Sequence, residues 1–361
     1  MKRKPDYIFI GISVSLLVLG LVILASAGQV IGQEKFNDPF YYLKHQILYG
    51  LLPGLIGMFL ALKIKYTFWK KISLFFLVIS LILLCLVFFP KIGYEFGGAK
   101  RWIKIGRISF QPTEIAKLSF IIYLAGIFSK SRKIDSSTIV PFLVVLSILG
   151  CLIALQPDIG TLVVFVAVGA IIYFLSGGKI SHLIILCLIG SVIGYALIQS
   201  APYRMARLTI FLHPEKDPQG IGYQINQALL AIGSGGLFGR GIGHSLQKWN
   251  YIPEPIGDSI FAIAGEELGF IRIILLMGLF LGLTLRGIKI AKNCEDKFGS
   301  LLAGGIISWI IIQAFIHMAV VTSLIPFTGI PLPFISYGGS ALVVSLVGIG
   351  IIGNISKFSS H

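Results

Sequence analysis

Long apolar runs separated by short polar connections dominate the chain, and their lengths predict helices that cross a lipid bilayer. A crossing takes about 20 apolar residues in helical form. Runs of that kind are predicted at 8–28, 45–63, 71–90, 113–128, 138–155, 159–175, 180–200, 258–286, 299–325 and 335–355. None alternates apolar with polar positions as a barrel strand does, and in lipid only helices and closed barrels satisfy the backbone. The expected fold class is all-α integral membrane. It is a ten-transmembrane-helix bundle, residues 1–361 forming one polytopic domain, with a large extracytoplasmic loop at 201–257 between spans seven and eight. Met1-Lys2-Arg3-Lys4 before the first run, with Ala25-Ser26-Ala27 behind it, resembles a signal peptide. The run is longer than the apolar core of such a peptide, so it is read as a retained span.

Composition supports a lipid-covered molecule. Only 12% of the 361 residues are charged and 56% are hydrophobic, whereas soluble domains carry about 25% charge. The net charge of +15 sits mostly in loops, where it sets topology and meets anionic lipid; no nucleic-acid partner is expected. Lys2, Arg3 and Lys4, then Lys63, Lys65, Lys70 and Lys71, then Lys130, Arg132 and Lys133, then Arg286, Lys289, Lys292 and Lys297 fall in alternate connections. With both termini cytoplasmic, all of them lie inside, as short basic loops should. The four cysteines lie at no metal-ligand spacing, and neither a disulfide nor a zinc site is expected.

Two segments on the opposite side break that charge rule. Loop 91–112 carries Lys91, Lys100, Arg101, Lys104 and Arg107 against Glu95 alone, and loop 201–257 carries Arg204, Arg207, Lys216, Arg240 and Lys248. Either they receive an anionic ligand from outside, or they are solvated loop charges that translocate regardless. Glu114, in the first turn after Pro112, suits a helix N-terminus, and Lys117 one turn deeper can pair with it. An ionisable residue within a span is a functional candidate. Pro157 and Asp158 read as turn and helix cap. The glycine-rich run 233–243 follows no strand and is not a nucleotide cradle; its glycines permit tight backbone approach. Asp258, where a polar loop enters an apolar run, is either the cap of span eight or a partly desolvated carboxylate facing the basic loops. Glu266 and Glu267 lie inside the same run, where pairing with another helix or a catalytic role both fit. Three prolines between Pro326 and Pro333 forbid continuous helix there, and Ser336 and Tyr337 offer hydroxyls to a cavity.

Together these stretches resemble the shape, elongation, division and sporulation family, the FtsW/RodA group with its sporulation relative. The resemblance rests on GAKRWI, FQPTEIAK, QPDIGT, GYQINQALLAIGSGGLFGRGIG, PEPIGDSIFA with GEELG, and PLPFISYGGS, in order along nearly the whole chain. Ser245-Leu246-Gln247-Lys248 sides with the FtsW branch. The resemblance implies a peptidoglycan glycosyltransferase of the bacterial cytoplasmic membrane that polymerises lipid II. It implies Asp258 as the catalytic residue, with Arg101, Glu114 and Lys117 lining the cavity. The sequence departs from the family in having Ile256 and Gly257 where many members have His-Thr, and His317 where many have Asn. Asp258 is expected to act as general base in an inverting transfer, with undecaprenyl pyrophosphate leaving. Arg101 and Lys117, then Arg204 and Arg207, are expected to meet the departing charge. A divalent cation, Mg or Mn, is a candidate helper, although no carboxylate cluster marks a site. Expected partners are a class B penicillin-binding protein, other division or elongation proteins, and membrane lipid. Rival readings are a lipid II flippase, kept open by Glu266, Glu267 and His317 inside spans, and a division scaffold.

Overall fold

The computed structural model describes residues 4–96, 99–106, 108–130, 136–200, 202–213, 217, 220–249 and 251–359. Lys2, Arg3, Arg107, Arg132, Lys133 and Lys216, used above as topological charges, lie outside them. Helix α1 (Tyr7–Ala27) is capped by Asp6, whose carboxylate accepts the Phe9 N–H. A short α2 (Gln29–Phe36) leads to α3 (Tyr41–Gln46), which runs through a π-helical turn, Ile47–Leu51, into α4 (Leu52–Lys63). Pro53 follows the turn and brings no N–H to an α-type ladder, so the wider turn closes instead from Leu52 N–H to Ile47 O. Then come α5 (Thr67–Lys71), α6 (Ser73–Leu86), α7 (Pro112–Phe128), α8 (Ser136–Leu155), α9 (Ile159–Leu175), α10 (Ile180–Gln199), α11 (Pro202–Leu212), α12 (Ile221–Ser234), α13 (Ile260–Lys292), α14 (Lys297–Val321) and α15 (Gly339–Ile355).

Each of the ten predicted stretches is helical. Six helical segments among the described residues are long and apolar enough to cross a membrane: Tyr7–Ala27, Tyr41–Lys63, Thr138–Leu155, Ile260–Lys292, Lys297–Val321 and Gly339–Phe358. α6, α9 and α10 are shorter apolar helices. Lys297–Val321 and Gly339–Phe358 are the most enclosed of the six, and α14 contacts α7, α9, α13 and α15. Gly305 on α14 makes this closeness possible, since a Cβ there would meet Ile121 and Ile172 at 2.8 Å.

Three features depart from the sequence expectation. The all-α class is amended by a small antiparallel sheet in loop 91–112, with β1 (Gly93–Phe96), β2 (Ala99–Ile105) and β3 (Ile108–Phe110) in that order. Tyr94 pairs with Trp102 and Ile103 with Phe110. The expected loop 201–257 also contains two helices, α11 and α12.

The run read as a continuous span at 258–286 is broken. Gly269 has φ 73° and ψ 175°, so α13 is two helical stretches meeting at an angle. A break strands backbone groups that lipid cannot satisfy. The glycine-rich loop supplies the missing partners. Arg240 N–H and Gly241 N–H donate to Glu266 O and Glu267 O at 3.0 Å, while Phe270 N–H and Ile271 N–H donate to Gly236 O and Leu237 O. The approach requires glycine on both sides, because a Cβ on Gly269 would stand 2.1 Å from Gly239 N.

The two carboxylates inside this run are held by the same loop rather than by another helix alone. Glu266 accepts from Ser245 Oγ and from the N–H groups of Leu246 and Gln247. Glu267 accepts from Ser26 Oγ on α1 and lies 3.5 Å from the buried Lys248 Nζ. Lys248 also donates to Gly243 O at 2.7 Å. Each carboxylate is thus committed to fixed donors, which removes the support they gave to a transport path.

Candidate active site

Asp258 is presented by a tight turn. Glu254, between Pro253 and Pro255, sits in the left-handed region at φ 49°, and its carbonyl accepts the N–H groups of Gly257 and Ser259. Ser259 is the N-cap of α13, without a side-chain cap bond, so Asp258 is not the helix cap. Ser259 Oγ donates to Pro253 O at 2.9 Å and accepts Gln224 Nε2 of α12 at 3.1 Å. The other side of the turn is held by the proline-rich stretch 326–336, which is non-helical as expected. Ser336 Oγ donates to Gly257 O, and Tyr337 N–H donates to Ile256 O.

Ser336 and Tyr337 are therefore props rather than free hydroxyls. Ser336 Oγ also accepts the Leu332 N–H, and Tyr337 OH pairs with His45 Nδ1 at 2.9 Å. Burial, with the tyrosines at 41 and 42 nearby, raises the Tyr337 phenol above its usual range.

Asp258 itself receives no hydrogen bond from the described residues, unlike Asp6, Asp158 and Asp296, which all cap helices. Burial pushes its pKa up to about 6, and the Glu254 carboxylate adds to this. Arg101 and Arg207 pull it down, while Asp158 pushes it up. The chain thus gathers two carboxylates and two guanidiniums around one unspent carboxyl group.

Arg101 is carried on β2 and locked onto the turn between α8 and α9. It donates from Nε to Gln156 O at 3.0 Å and from a terminal nitrogen to Pro157 O, and stands 3.9 Å from Asp158. Asp158 also caps α9 through the Thr161 N–H, as expected of it. Arg207, on α11, lies over the Phe327 ring with its guanidinium carbon 5.8 Å from the centroid. Arg204, one turn earlier, donates to Ser200 Oγ.

Glu114 and Lys117 form the expected i,i+3 pair at 2.8 Å, but both are almost fully buried within the bundle. Lys117 Nζ also donates to Gln313 Oε1 at 2.7 Å and lies over the Trp309 ring. They meet the site through α14: Gln313 Nε2 donates to Pro331 O, and His317 Nδ1 donates to Ile330 O. Next to Ile330, Gly329 faces the Asp258 carboxylate, where an added Cβ would meet Oδ2 at 3.4 Å.

The sequence profile of the FtsW/RodA/SpoVE family, described as cell cycle protein, matches residues 7–361. The chain belongs to the FtsW/RodA/SpoVE family. Stage V sporulation protein E of Bacillus subtilis (strain 168) is 43% identical over 363 residues, covering 100% of this chain and 99% of the relative. A probable peptidoglycan glycosyltransferase FtsW of Geobacter sp. (strain M18) is 40% identical, covering 99% and 98%. Among solved structures, a chain of a peptidoglycan synthase complex, described for its coordination of polymerization and crosslinking, superposes with TM-score 0.81 at 25% identity, covering 98% of each chain. The rod shape determining protein RodA of Thermus thermophilus superposes with TM-score 0.73 at 26% identity, covering 99% and 98%. The chain is thus a multi-pass membrane protein with a RodA-like fold.

In this FtsW/RodA/SpoVE member, no three carboxylate, imidazole or thiol side chains among the described residues converge on a point that would hold a metal ion. Sequence reasoning missed Glu254, Gly329 and Phe327 as neighbours of the site. The prolines beside the first, and the proline-rich context of the other two, were their only local signal. It also missed Gln313, an amide in an apolar helix, which is a signal in itself.

Proposed function

We propose that this chain is a peptidoglycan glycosyltransferase that polymerises lipid II at the outer face of the cytoplasmic membrane. The observation that carries this reading is the Asp258 carboxyl group, free of hydrogen bonds from the described residues, raised to about 6 by burial and flanked by Arg101 and Arg207. The glycosyltransferase names of FtsW relatives support it. The ten helical stretches then cross the bilayer with both termini inside, and the sheet and the 201–257 loop lie outside. Basic residues in the alternate connections support that orientation.

A sugar hydroxyl is a poor nucleophile at neutral pH. The Asp258 carboxylate takes the proton from the 4-hydroxyl of the acceptor N-acetylglucosamine. The freed oxygen forms a bond to the donor's anomeric carbon from the face opposite the diphosphate. The carbon–oxygen bond to the diphosphate breaks, its electron pair leaves with undecaprenyl pyrophosphate, and configuration inverts. Guanidinium groups stabilise that departing charge. Arg207 and Arg101 are assigned to it, with Arg204 on the same helix as Arg207 and Lys117 acting from within the bundle. The prenyl tails stay dissolved in lipid while the polar ends react. A class B penicillin-binding protein, which crosslinks the strands, is the expected partner, a pairing supported by the fold match to a chain of a peptidoglycan synthase complex.

The test is purified protein with labelled lipid II, with and without the partner transpeptidase. Glycan strands from the wild type, and none from Asp258→Asn, are expected. Transbilayer movement of lipid II without polymer overturns the enzyme in favour of a flippase, and neither activity leaves a scaffold.

A further inference from the structure

The stretch 326–336 touches the site on one side and the buried centre of the bundle on the other. Towards the site, Gly329 faces the Asp258 carboxylate and Phe327 lies under the Arg207 guanidinium. Towards the bundle, two successive carbonyls are held from successive turns of α14. His317 Nδ1 donates to Ile330 O at 2.7 Å, and Gln313 Nε2 donates to Pro331 O at 3.0 Å. Gln313 is itself fixed, because its Oε1 accepts from Lys117 Nζ at 2.7 Å and from Trp309 Nε1 at 2.8 Å. Below the stretch there is no slack on the α9 side either. A Cβ on Gly160 would stand 2.9 Å from both Thr328 Cβ and Ile330 Cγ1.

A proline-rich segment has few backbone donors, so it cannot fix its own height by a ladder. Its height must be set by side chains that grip its carbonyls. Among the described residues, His317 grips the carbonyl of Ile330, the residue that follows Gly329, and is 2% exposed. A carbonyl only accepts, so the imidazole is the tautomer protonated at Nδ1. Its other nitrogen, Nε2, is buried and has no partner among the described residues. All of the ring's polar work is therefore done by one N–H.

We infer that His317 is a positioning residue for the reaction: through its Nδ1–H bond to Ile330 it sets the height of Gly329 and Phe327, and so the placement of Asp258 and Arg207. The inference rests on the reading of Asp258 as the base. It differs from a packing role because it depends on one donor at one distance from the helix. In asparagine the amide nitrogen is bonded to Cγ, as Nδ1 is in histidine, so it can stand in the same place. Glutamine carries its amide one carbon further out, and leucine has no donor.

The experiment compares the full-length wild type with His317→Asn, His317→Leu and His317→Gln for lipid II polymerisation across pH, together with melting temperature. His317→Asn is expected within about threefold of the wild-type rate. His317→Leu and His317→Gln are expected to fall on the order of 100-fold, the usual cost of a misplacement of about 1 Å. Their acid limb is expected to move away from about 6, because a lifted strap admits water to Asp258 and displaces Arg207. The groups that set this limb are Glu254, Arg101, Arg207 and Asp158, and all four keep their identity in every variant. A leucine variant with wild-type rate and pH profile overturns the inference. So does an asparagine variant as impaired as the leucine one. If the leucine and glutamine chains fail to fold while the asparagine chain folds, the bond serves stability and the inference falls. Absence of polymer from the wild type sinks the glycosyltransferase reading instead, so the two failures are distinct.

Discussion

Gly329 stands beside the Asp258 carboxylate with room for one methyl group between them: a Cβ added at Gly329 would meet Oδ2 at 3.4 Å. Gly329 also has φ +69°, a conformation that alanine adopts at a cost of about 1 kcal/mol. Gly329→Ala is expected to lower the melting temperature by a few degrees and the polymerisation rate by at least tenfold. Loss of stability at an unchanged rate per folded molecule would mean that the glycine serves the turn alone.

The Asp258 carboxyl, raised from 3.8 to about 6, predicts a rate that rises with pH through about 6 on the acid limb of kcat/KM. The stability consequence runs the other way. A raised carboxyl pKa means that the folded chain holds this proton more tightly than the unfolded one. That contribution is complete below the unfolded value of 3.8 and is lost as pH rises through about 6. Asp258→Asn is therefore expected to abolish polymerisation while melting at the same or a higher temperature than the wild type above pH 6. The gap should close toward pH 4. Calorimetry or fluorescence melting at several pH values reads this, and a large loss of stability in the variant at neutral pH refutes it.

Arg207 holds the Asp258 carboxyl down, whereas Arg101 both does this and anchors β2 to the carbonyls of Gln156 and Pro157. Arg207→Ala is expected to cut the rate on the order of 100-fold, the scale for removing one charge-stabilising donor, and to move the acid limb upward. Arg101→Lys keeps the charge but cannot make the forked contact. It is expected to impair the rate with little movement of the limb. A downward movement in Arg207→Ala would contradict the electrostatics assigned here.

Lys248 and Glu267 are both about 2% exposed and 3.5 Å apart. Lys248→Met leaves a buried carboxylate short of its cation, at an expected cost of about 3 kcal/mol. Adding Glu267→Gln to the same chain is expected to recover part of that loss. A double-mutant cycle by thermal melting measures the coupling, and additive losses would show that the pair does not interact.

The helical stretches were legible because long apolar runs have few other backbone solutions in lipid, and six of the helices among the described residues are long and apolar enough to cross it. Asp158 as a cap and the Glu114–Lys117 pair were legible for a related reason: each depends on residues three apart. The break at Gly269 was not, because the groups that heal it lie some thirty residues earlier, in a loop whose glycines give no hint of their destination. The small sheet was missed because β1 and β3 are only four and three residues long, and β2 carries Lys100, Arg101 and Lys104 without a clean two-residue alternation. At the site, Asp258 was readable as an ionisable residue at a loop–helix boundary. Its distinction from a cap was not, since that turns on Ser259 taking the N-cap position. Ser336 and Tyr337 were expected to face a cavity, but sequence does not reveal that Gly257 and His45 lie within reach of their hydroxyls.

Arg101, Asp158, Arg207, Asp258 and Gly329 come from five separate stretches, and Gly329 lies just before the final helix. A ribosome delivers these stretches in order, so the carboxyl group acquires its full surroundings only once the last of the five has been made.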